Sequence, residues 1–287
     1  MLYVELVIQG IVQGAIYALI ALGLTLVYGL LRILHVAHAA LFTLGGYIGV
    51  LVTNATGSLA LALAVAMPVV GVVGIAIYEL AYKPMLSRPP FVALIASIGL
   101  FIAAEELFRL SFGPYGLSYI DPPLQAPISI AGILNLKQAE VMVIVLAIVM
   151  LALLGYAAQR TRMGVAWRAT VSDPAMAESF GVNIERVRWL NFFIGSALAA
   201  AAGVMVALLN NLVEPTMGSV PSYKALAIIV LGGLGSIPGT LLASMLLGIV
   251  EAFGTIYLSG ILDRDAIAFA FLILILMARP QGLFGKR

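Results

Sequence analysis

The residues with the most chemical content lie in one polar run. Val171-Ser172-Asp173-Pro174-Ala175-Met176-Ala177-Glu178-Ser179-Phe180-Gly181 carries a helix start and a helix stop close together. The Asp173 carboxylate can accept from the free backbone N–H groups of a first turn. Pro174 then occupies the position where a missing N–H does no harm. Gly181 suits the left-handed residue just past a helix end. The pattern predicts a helix over Pro174–Phe180, too short to be stable alone in water. Met176 and Phe180 are four apart and share its apolar face. Such a face fits a groove on a partner, or it packs back onto the chain's own helices. Chemistry alone leaves the two open.

Other ionisable residues point to structure before reaction. Glu251 sits inside the apolar run Thr240–Leu258. A charge near the centre of a membrane helix costs roughly 2.5–3.5 kcal/mol on insertion scales, so it faces a partner or a cavity. Helix or subunit packing is the first reading, the substrate path the second. His35 and His38 are three apart with no carboxylate nearby in sequence, so a satisfied histidine is preferred to a metal ligand. Arg109 is expected to pair with Glu105, four residues before it, and Glu106 lies beside them. Asp263-Arg264-Asp265 reads as a solvated turn. Ser236, in Leu231-Gly232-Gly233-Leu234-Gly235-Ser236-Ile237-Pro238-Gly239, lacks an evident base. There is no Gly-x-Ser-x-Gly, no His-Glu-x-x-His and no Gly-x-x-x-x-Gly-Lys-[Ser/Thr]. No catalytic set and no metal set is assigned.

The elements around these residues are apolar. Of 287 residues, 63% are hydrophobic and 10% charged, against about 45–50% and about 25% in soluble domains. The net charge of +2 gives no ground for nucleic-acid binding, and the absence of cysteine excludes a disulfide scaffold and Cys-ligated metal. Spans of about 20 apolar residues are expected at Leu6–Leu31, Val36–Thr53, Leu59–Tyr78, Phe91–Phe108, Ala139–Ala158, Leu190–Leu209 and Thr240–Leu258. Ala266–Ala278 is near full length and Ala225–Leu234 about half. The fold class is an all-α, polytopic transmembrane bundle of about eight to ten segments, broken or half-length ones included, forming one domain over 1–287. No cleavable leader is expected, because Glu5 stands where a signal peptide carries Lys or Arg.

Basic residues set orientation. The loop 159–189 carries Arg160, Arg162, Arg168, Arg186 and Arg188. Lys83 and Arg88 follow the third span, and Arg279, Lys286 and Arg287 end the chain. These three regions are expected in the cytoplasm. The Pro-rich connection Leu110–Gln138 and the stretch Asn210–Tyr223 are expected outside, and the side of the N-terminus stays open. Two Gly-interrupted places, Gly45-Gly46 and Gly232-Gly233-Leu234-Gly235, read either as small-residue packing or as breaks along a transport path.

Several segments together resemble one family. Gly164-Val165-Ala166-Trp167-Arg168-Ala169, Asp173-Pro174-Ala175-Met176-Ala177 and Gly181-Val182-Asn183 are similar to the cytoplasmic loop of branched-chain amino acid ABC importer permeases of LivH type. Tyr17–Gly29 resembles their first helix, Leu231–Gly239 their Gly-rich turn, and Pro280–Gly285 their ending. Where the family has an Asn-Phe-Ala-His-Gly-like stretch, this chain reads His35-Val36-Ala37-His38-Ala39, so only Ala37 and His38 fit the pattern.

The resemblance implies an inner-membrane permease of a bacterium or archaeon with no cofactor of its own. It implies a second permease (LivM-type, or a copy of this chain), two cytoplasmic ATPases holding ATP and Mg²⁺, and an extracytoplasmic binding protein. The segment Asp173, Pro174, Met176, Ala177, Glu178, Phe180 and Gly181 would then be the coupling helix. Gly45, Gly46, Gly232, Gly233, Gly235 and Glu251 would lie near the substrate path. The competing class is an ion-coupled secondary transporter or a facilitative channel for a small neutral solute such as urea or an amide. The lack of evident paired membrane carboxylates weighs against it. An intramembrane enzyme is disfavoured by the missing catalytic pair.

Overall fold

The computed structural model describes residues 2–130, 134–258 and 260–284. The expected Gly285, Lys286 and Arg287 at the chain end lie outside the described residues. The helices are α1 (Leu2–Leu31), α2 (His38–Thr56), α3 (Leu59–Ile77), α4 (Pro90–Phe112), α5 (Gln138–Arg160), α6 (Arg162–Ser172), α7 (Pro174–Ser179), α8 (Ile184–Asn210), α9 (Ser219–Gly232), α10 (Ile237–Tyr257) and α11 (Arg264–Ala278). Seven of them, α1 to α5, α8 and α10, are long and apolar enough to cross a membrane. The shorter α9 and α11 complete a multi-pass bundle.

Residue size decides where each helix sits. α1 and α8 are the most enclosed spans, and α4 and α5 the most exposed. α8 carries Gly195, Ala197, Ala199–Ala202 and Gly203, and α1 carries Gly10, Gly14 and Gly23. Small side chains let backbones approach, which is how helices associate where lipid gives no hydrophobic drive. A Cβ added at Gly10 would stand 2.7 Å from Ile249 Cα, and one at Gly14 would stand 3.0 Å from Met245 Cα. α1 and α10 are therefore antiparallel along their length, with Gly29 facing Gly235 and the Thr25 and Thr240 hydroxyls 2.8 Å apart. α8 also runs against α1, where Gly195 meets Gly23 and Asn191 Nδ2 donates to the Leu26 carbonyl at 3.1 Å. The outer helices instead present Ile95, Ile98, Ile102, Ile148, Val149 and Leu153 outward, as a lipid-facing surface does.

α3 ends in a π-helical turn, Tyr78–Tyr82, and a short 3-10 turn, Lys83–Met85. The turn carries the buried Tyr78 and Tyr82 rings onto Phe192 of α8. At the opposite end, a hairpin of β1 (Pro127–Ile130) and β2 (Leu134–Lys137) pairs Pro127 with Lys137. It lies in the connection between α4 and α5 that the sequence marked only as an ordered loop. Leu117 bridges to Val213, and Asn54 holds Ser118 and Ile120, so this connection is tied to α2 and to the α8–α9 turn. The bundle thus has a hairpin end and an end built from α6 and α7.

Gly45 and Gly46 do not interrupt their helix. α2 runs unbroken from His38 to Thr56. A glycine lowers helix propensity by about 1 kcal/mol against alanine, but here each replaces a side chain that would collide. Gly45 abuts the Ala200 backbone, and Gly46 faces Met217 and Val213.

Candidate functional site

The polar run folds as a helical elbow. Thr161 caps α6 by accepting from Gly164 N at 3.0 Å. Gly164 lies against Ala157 and Ala158 of α5, and the Arg168 guanidinium donates to the Ala158 carbonyl. Trp167 packs on the core. α6 is thus clamped to the end of α5 and supports α7. Asp173 Oδ1 accepts from Met176 N at 3.0 Å, closing the first turn of α7. Gly181 takes φ +82°, and Val182 N donates back to the Ala177 carbonyl at 3.1 Å, closing the last turn. α7 ends at Ser179, one residue before the expected Phe180.

The exposure of this elbow answers the question its sequence left open. Ala177 is buried against the chain, whereas Met176 is 55% and Phe180 82% exposed. The apolar pair does not pack back. Pro174, Glu178 and Gly181 flank it, also exposed. Directly after it, Asn183 caps α8 by accepting from Arg186 N at 3.0 Å. α7 is therefore joined within four residues to α8, a helix enclosed by α1, α2 and α3.

Near the hairpin end lies a second polar assembly. Lys224 of α9 and Glu251 of α10 are 3% and 0% exposed, with Nζ 2.9 Å from Oε1. Lys224 also reaches Asp265 Oδ1 at 2.9 Å, and Arg264 Nε donates to Glu251 Oε2 at 2.8 Å. Tyr17 donates to Glu251 Oε2 at 2.7 Å and Tyr223 to Asp265 Oδ2 at 2.6 Å. Two acids and two bases balance, which is the condition for burying charge in a low-dielectric interior. The segment Asp263-Arg264-Asp265 is open to solvent as expected, but Arg264 and Asp265 also reach inward to this assembly. Only Asp263 stays outside the assembly, capping α11 by accepting from Asp265 N at 2.9 Å. Lys224 was missed, although a lone lysine at the start of an apolar half-length helix is the signal that finds it. Glu251 is ion-paired to Lys224 and Arg264 within the chain and joins α1, α9, α10 and α11.

The remaining residues fall elsewhere. Gly232, Gly233 and Gly235 form the turn between α9 and α10, at the α6–α7 end. Gly232 abuts Gly239, Gly233 has φ +99° and Gly235 has φ +82°. Leu283 N donates to the Leu231 carbonyl at 2.7 Å, strapping the chain end over this turn. The turn is therefore far from Glu251, and the six residues assigned to one path do not meet. Ser236 Oγ caps α10, accepting from Gly239 N at 3.2 Å. His35 Nδ1 is 2.6 Å from the Tyr82 hydroxyl, and His38 Nε2 is 3.2 Å from the Ile20 carbonyl. Both imidazoles are buried, and they do not share a helix face, since His35 precedes α2 and His38 begins it. Arg109 pairs with Glu106 at 2.6 Å, not with Glu105, which accepts from Ser219 at 2.7 Å. Among the described residues no cluster of three or more His, Asp or Glu could hold a metal.

With this geometry in place, comparison with known proteins is specific. The family model described as branched-chain amino acid transport system / permease component matches residues 6–278. This chain belongs to that permease family. It is 33% identical to the high-affinity branched-chain amino acid transport system permease protein LivH of Escherichia coli (strain K12), over 99% of this chain and 96% of that protein. It is 31% identical to BraD of Pseudomonas aeruginosa over the same shares. LivM of Salmonella typhimurium is 26% identical over 93% of this chain and 67% of its own length. Among solved structures, PsaBC from Streptococcus pneumoniae in complex with Fab matches 98% of this chain and 91% of that chain, with a TM-score of 0.48 and 13% identity. Family membership gives the exposed elbow its setting: it belongs to a permease.

Proposed function

We propose that this chain is the membrane-spanning permease subunit of a binding-protein-dependent ABC importer for branched-chain or other neutral amino acids. The observation that carries the reading is the capped helix α7, with Met176 and Phe180 bare on a chain of the permease family. An exposed apolar pair on a helix too short to stand alone suits a groove in a separate protein. We assign that groove to two cytoplasmic ATPase subunits, which hold ATP and Mg²⁺ while this chain holds neither. A second permease of LivM type, or a copy of this chain, completes the membrane pair. A binding protein delivers substrate at the hairpin end.

Orientation follows from charge. Arg160, Arg162, Arg168, Arg186 and Arg188 gather at the α6–α7 end, so that end and the C-terminus face the cytoplasm of the inner membrane. With α9 and α11 crossing, nine segments then put the N-terminus outside. Closure of the ATPases pushes α7, and α8 passes the motion to α1 and α2, which alternates access. The tight glycine contacts at Gly45 and Gly46 and the turn at Gly232, Gly233 and Gly235 are positions where this motion is accommodated. Glu251 holds the outer ends of the moving helices together beside the path.

Reconstitution tests the reading. Leucine uptake into vesicles should require ATP inside, the ATPase subunits and the binding protein. Uptake that continues without ATP but stops when an ion gradient is collapsed would replace the importer by a secondary transporter.

A further inference from the structure

A polar cleft opens at the hairpin end between α1, α5, α8, α10 and the start of α11. Its volume is about 260 Å³, and Gln9, Gln13, Lys137, Glu140, Thr255 and Arg264 line it. Roughly 10–15 Å³ of such space holds one water, so the cleft has room for a solute of several heavy atoms. Polar side chains in a membrane bundle are costly unless they face a cavity or each other. Gln9 and Gln13 are four apart on α1, in a stretch from Leu6 to Leu31 whose other polar side chains are Tyr17, Thr25 and Tyr28, and both turn to this cleft.

The charges in the cleft are placed for a ligand. Arg264 is held by one nitrogen: Nε donates to Glu251, and its side chain is 45% exposed. Among the described residues its two terminal nitrogens have no partner, which leaves one edge of the planar fork open to a carboxylate. Glu140 uses Oε2 to accept from Lys137 N at 2.9 Å, and its other oxygen has no partner among the described residues. A cation-rich edge therefore stands in the same cleft as a free carboxylate oxygen and two amide carbonyls. The remaining wall is apolar, from Val12, Leu209 and Ile256.

We infer that this cleft is a binding site for the zwitterionic head of an α-amino acid within the permease itself. Arg264 takes the α-carboxylate, with Lys137 beside it. Glu140 and the Gln9 and Gln13 carbonyls take the α-ammonium, and the aliphatic wall takes the side chain. The inference rests on the amino-acid reading above and adds a place for the substrate after it leaves the binding protein. Because Arg264 also holds Glu251, an occupied cleft is joined to the paired charges that tie α1, α9, α10 and α11.

The chain has no cysteine, so a single introduced thiol is the one labelling site on this chain, read on its own band after the subunits are separated. In the assembled importer, Thr255→Cys should react with a membrane-impermeant thiol reagent. Leucine at ten times its dissociation constant should slow that reaction about tenfold by mass action. Isoamylamine, which lacks the carboxylate, should not. Ile98→Cys, on the outer face of α4, is the control that only a lipid-soluble reagent reaches. Gln13→Leu should cut leucine uptake roughly tenfold, the loss of one hydrogen bond to a charged group, and at the same leucine concentration should reduce protection of Thr255→Cys from about tenfold to about twofold. A Thr255→Cys thiol that reacts only with the lipid-soluble reagent would show a lipid-filled groove and overturn the inference. So would unprotected labelling, or normal uptake by Gln13→Leu, in an importer whose wild type takes up leucine. Failure of the wild type to take up any amino acid would instead sink the functional reading, and the inference with it.

Discussion

Lys224 Nζ and Glu251 Oε1 stand 2.9 Å apart in the bundle, with almost no exposure of either side chain. They come from α9 and α10, and Arg264 and Asp265 of α11 complete the set. Lys224→Met would leave two acids facing one cation. Removing one partner of a buried pair costs about 3–5 kcal/mol. Adding Asp265→Asn restores the balance and should recover part of that loss. Denaturant midpoints in detergent measure both, and equal midpoints for the single and double variants would show that the groups are not coupled.

Phe180→Asp and Met176→Asp should each abolish ATP-driven uptake. Both side chains are exposed, so the membrane fold should be intact by circular dichroism and unfolding midpoint. The loss arises at the docking surface, where burying a charge in place of an aromatic anchor costs about 2 kcal/mol or more of binding. ATPase subunits should no longer co-purify with the variants. Normal uptake in both would remove the coupling assignment.

Two glycines should respond oppositely to alanine. At Gly45 the new methyl group meets the Ala200 backbone, and overpacking costs typically 1–3 kcal/mol. At Gly99, on the outer face of α4, nothing lies within 4 Å of the added atom. There the gain in helix propensity is about 1 kcal/mol. Thermal unfolding of the two variants beside wild type reads the sign directly.

His35 lies in the connection 32–37, between α1 and α2. Burial holds its imidazole well below the usual histidine range, and the neighbouring His38 adds to the effect. The folded state therefore keeps His35 neutral, whereas the unfolded chain binds a proton below about pH 6.5. Its contribution to stability is complete above that pH and is lost as pH falls toward the depressed value. The unfolding midpoint should fall between about pH 7 and about pH 5, and His35→Gln should flatten the slope.

Local patterns in the sequence carried much of this structure. The spans were legible because membrane thickness fixes their length. The cap at Asp173 and the stop at Gly181 were legible because both act within a few residues. What stayed hidden joins distant positions. Lys224, Glu251 and Arg264 are spread over three helices, and no spacing rule pairs them. Glycine texture at Gly45-Gly46 left small-residue packing and a break both open, and what decides for packing is the Ala200 backbone on another helix. The pairing of Pro127–Ile130 with Leu134–Lys137 was hidden by a proline-rich stretch that marks turns and gives no pairing. The neighbours of Gln9 and Gln13 were likewise out of reach until the start of α11 came to lie against α1.

The elbow at α7 joins α8 after only four residues, 180–183. At about 1.5 Å per residue, α8 is roughly 40 Å long. It is wedged against α1 near its midpoint, where Gly195 meets Gly23. A rod gripped at the middle behaves as a see-saw. A tilt of about 5° would move each end of a 40 Å rod by nearly 2 Å in opposite directions. The outer end of α8 contributes Leu209 to the polar cleft. A push at Phe180 would then be felt at the cleft at nearly equal amplitude and with reversed sign, with no flexible linker to absorb it.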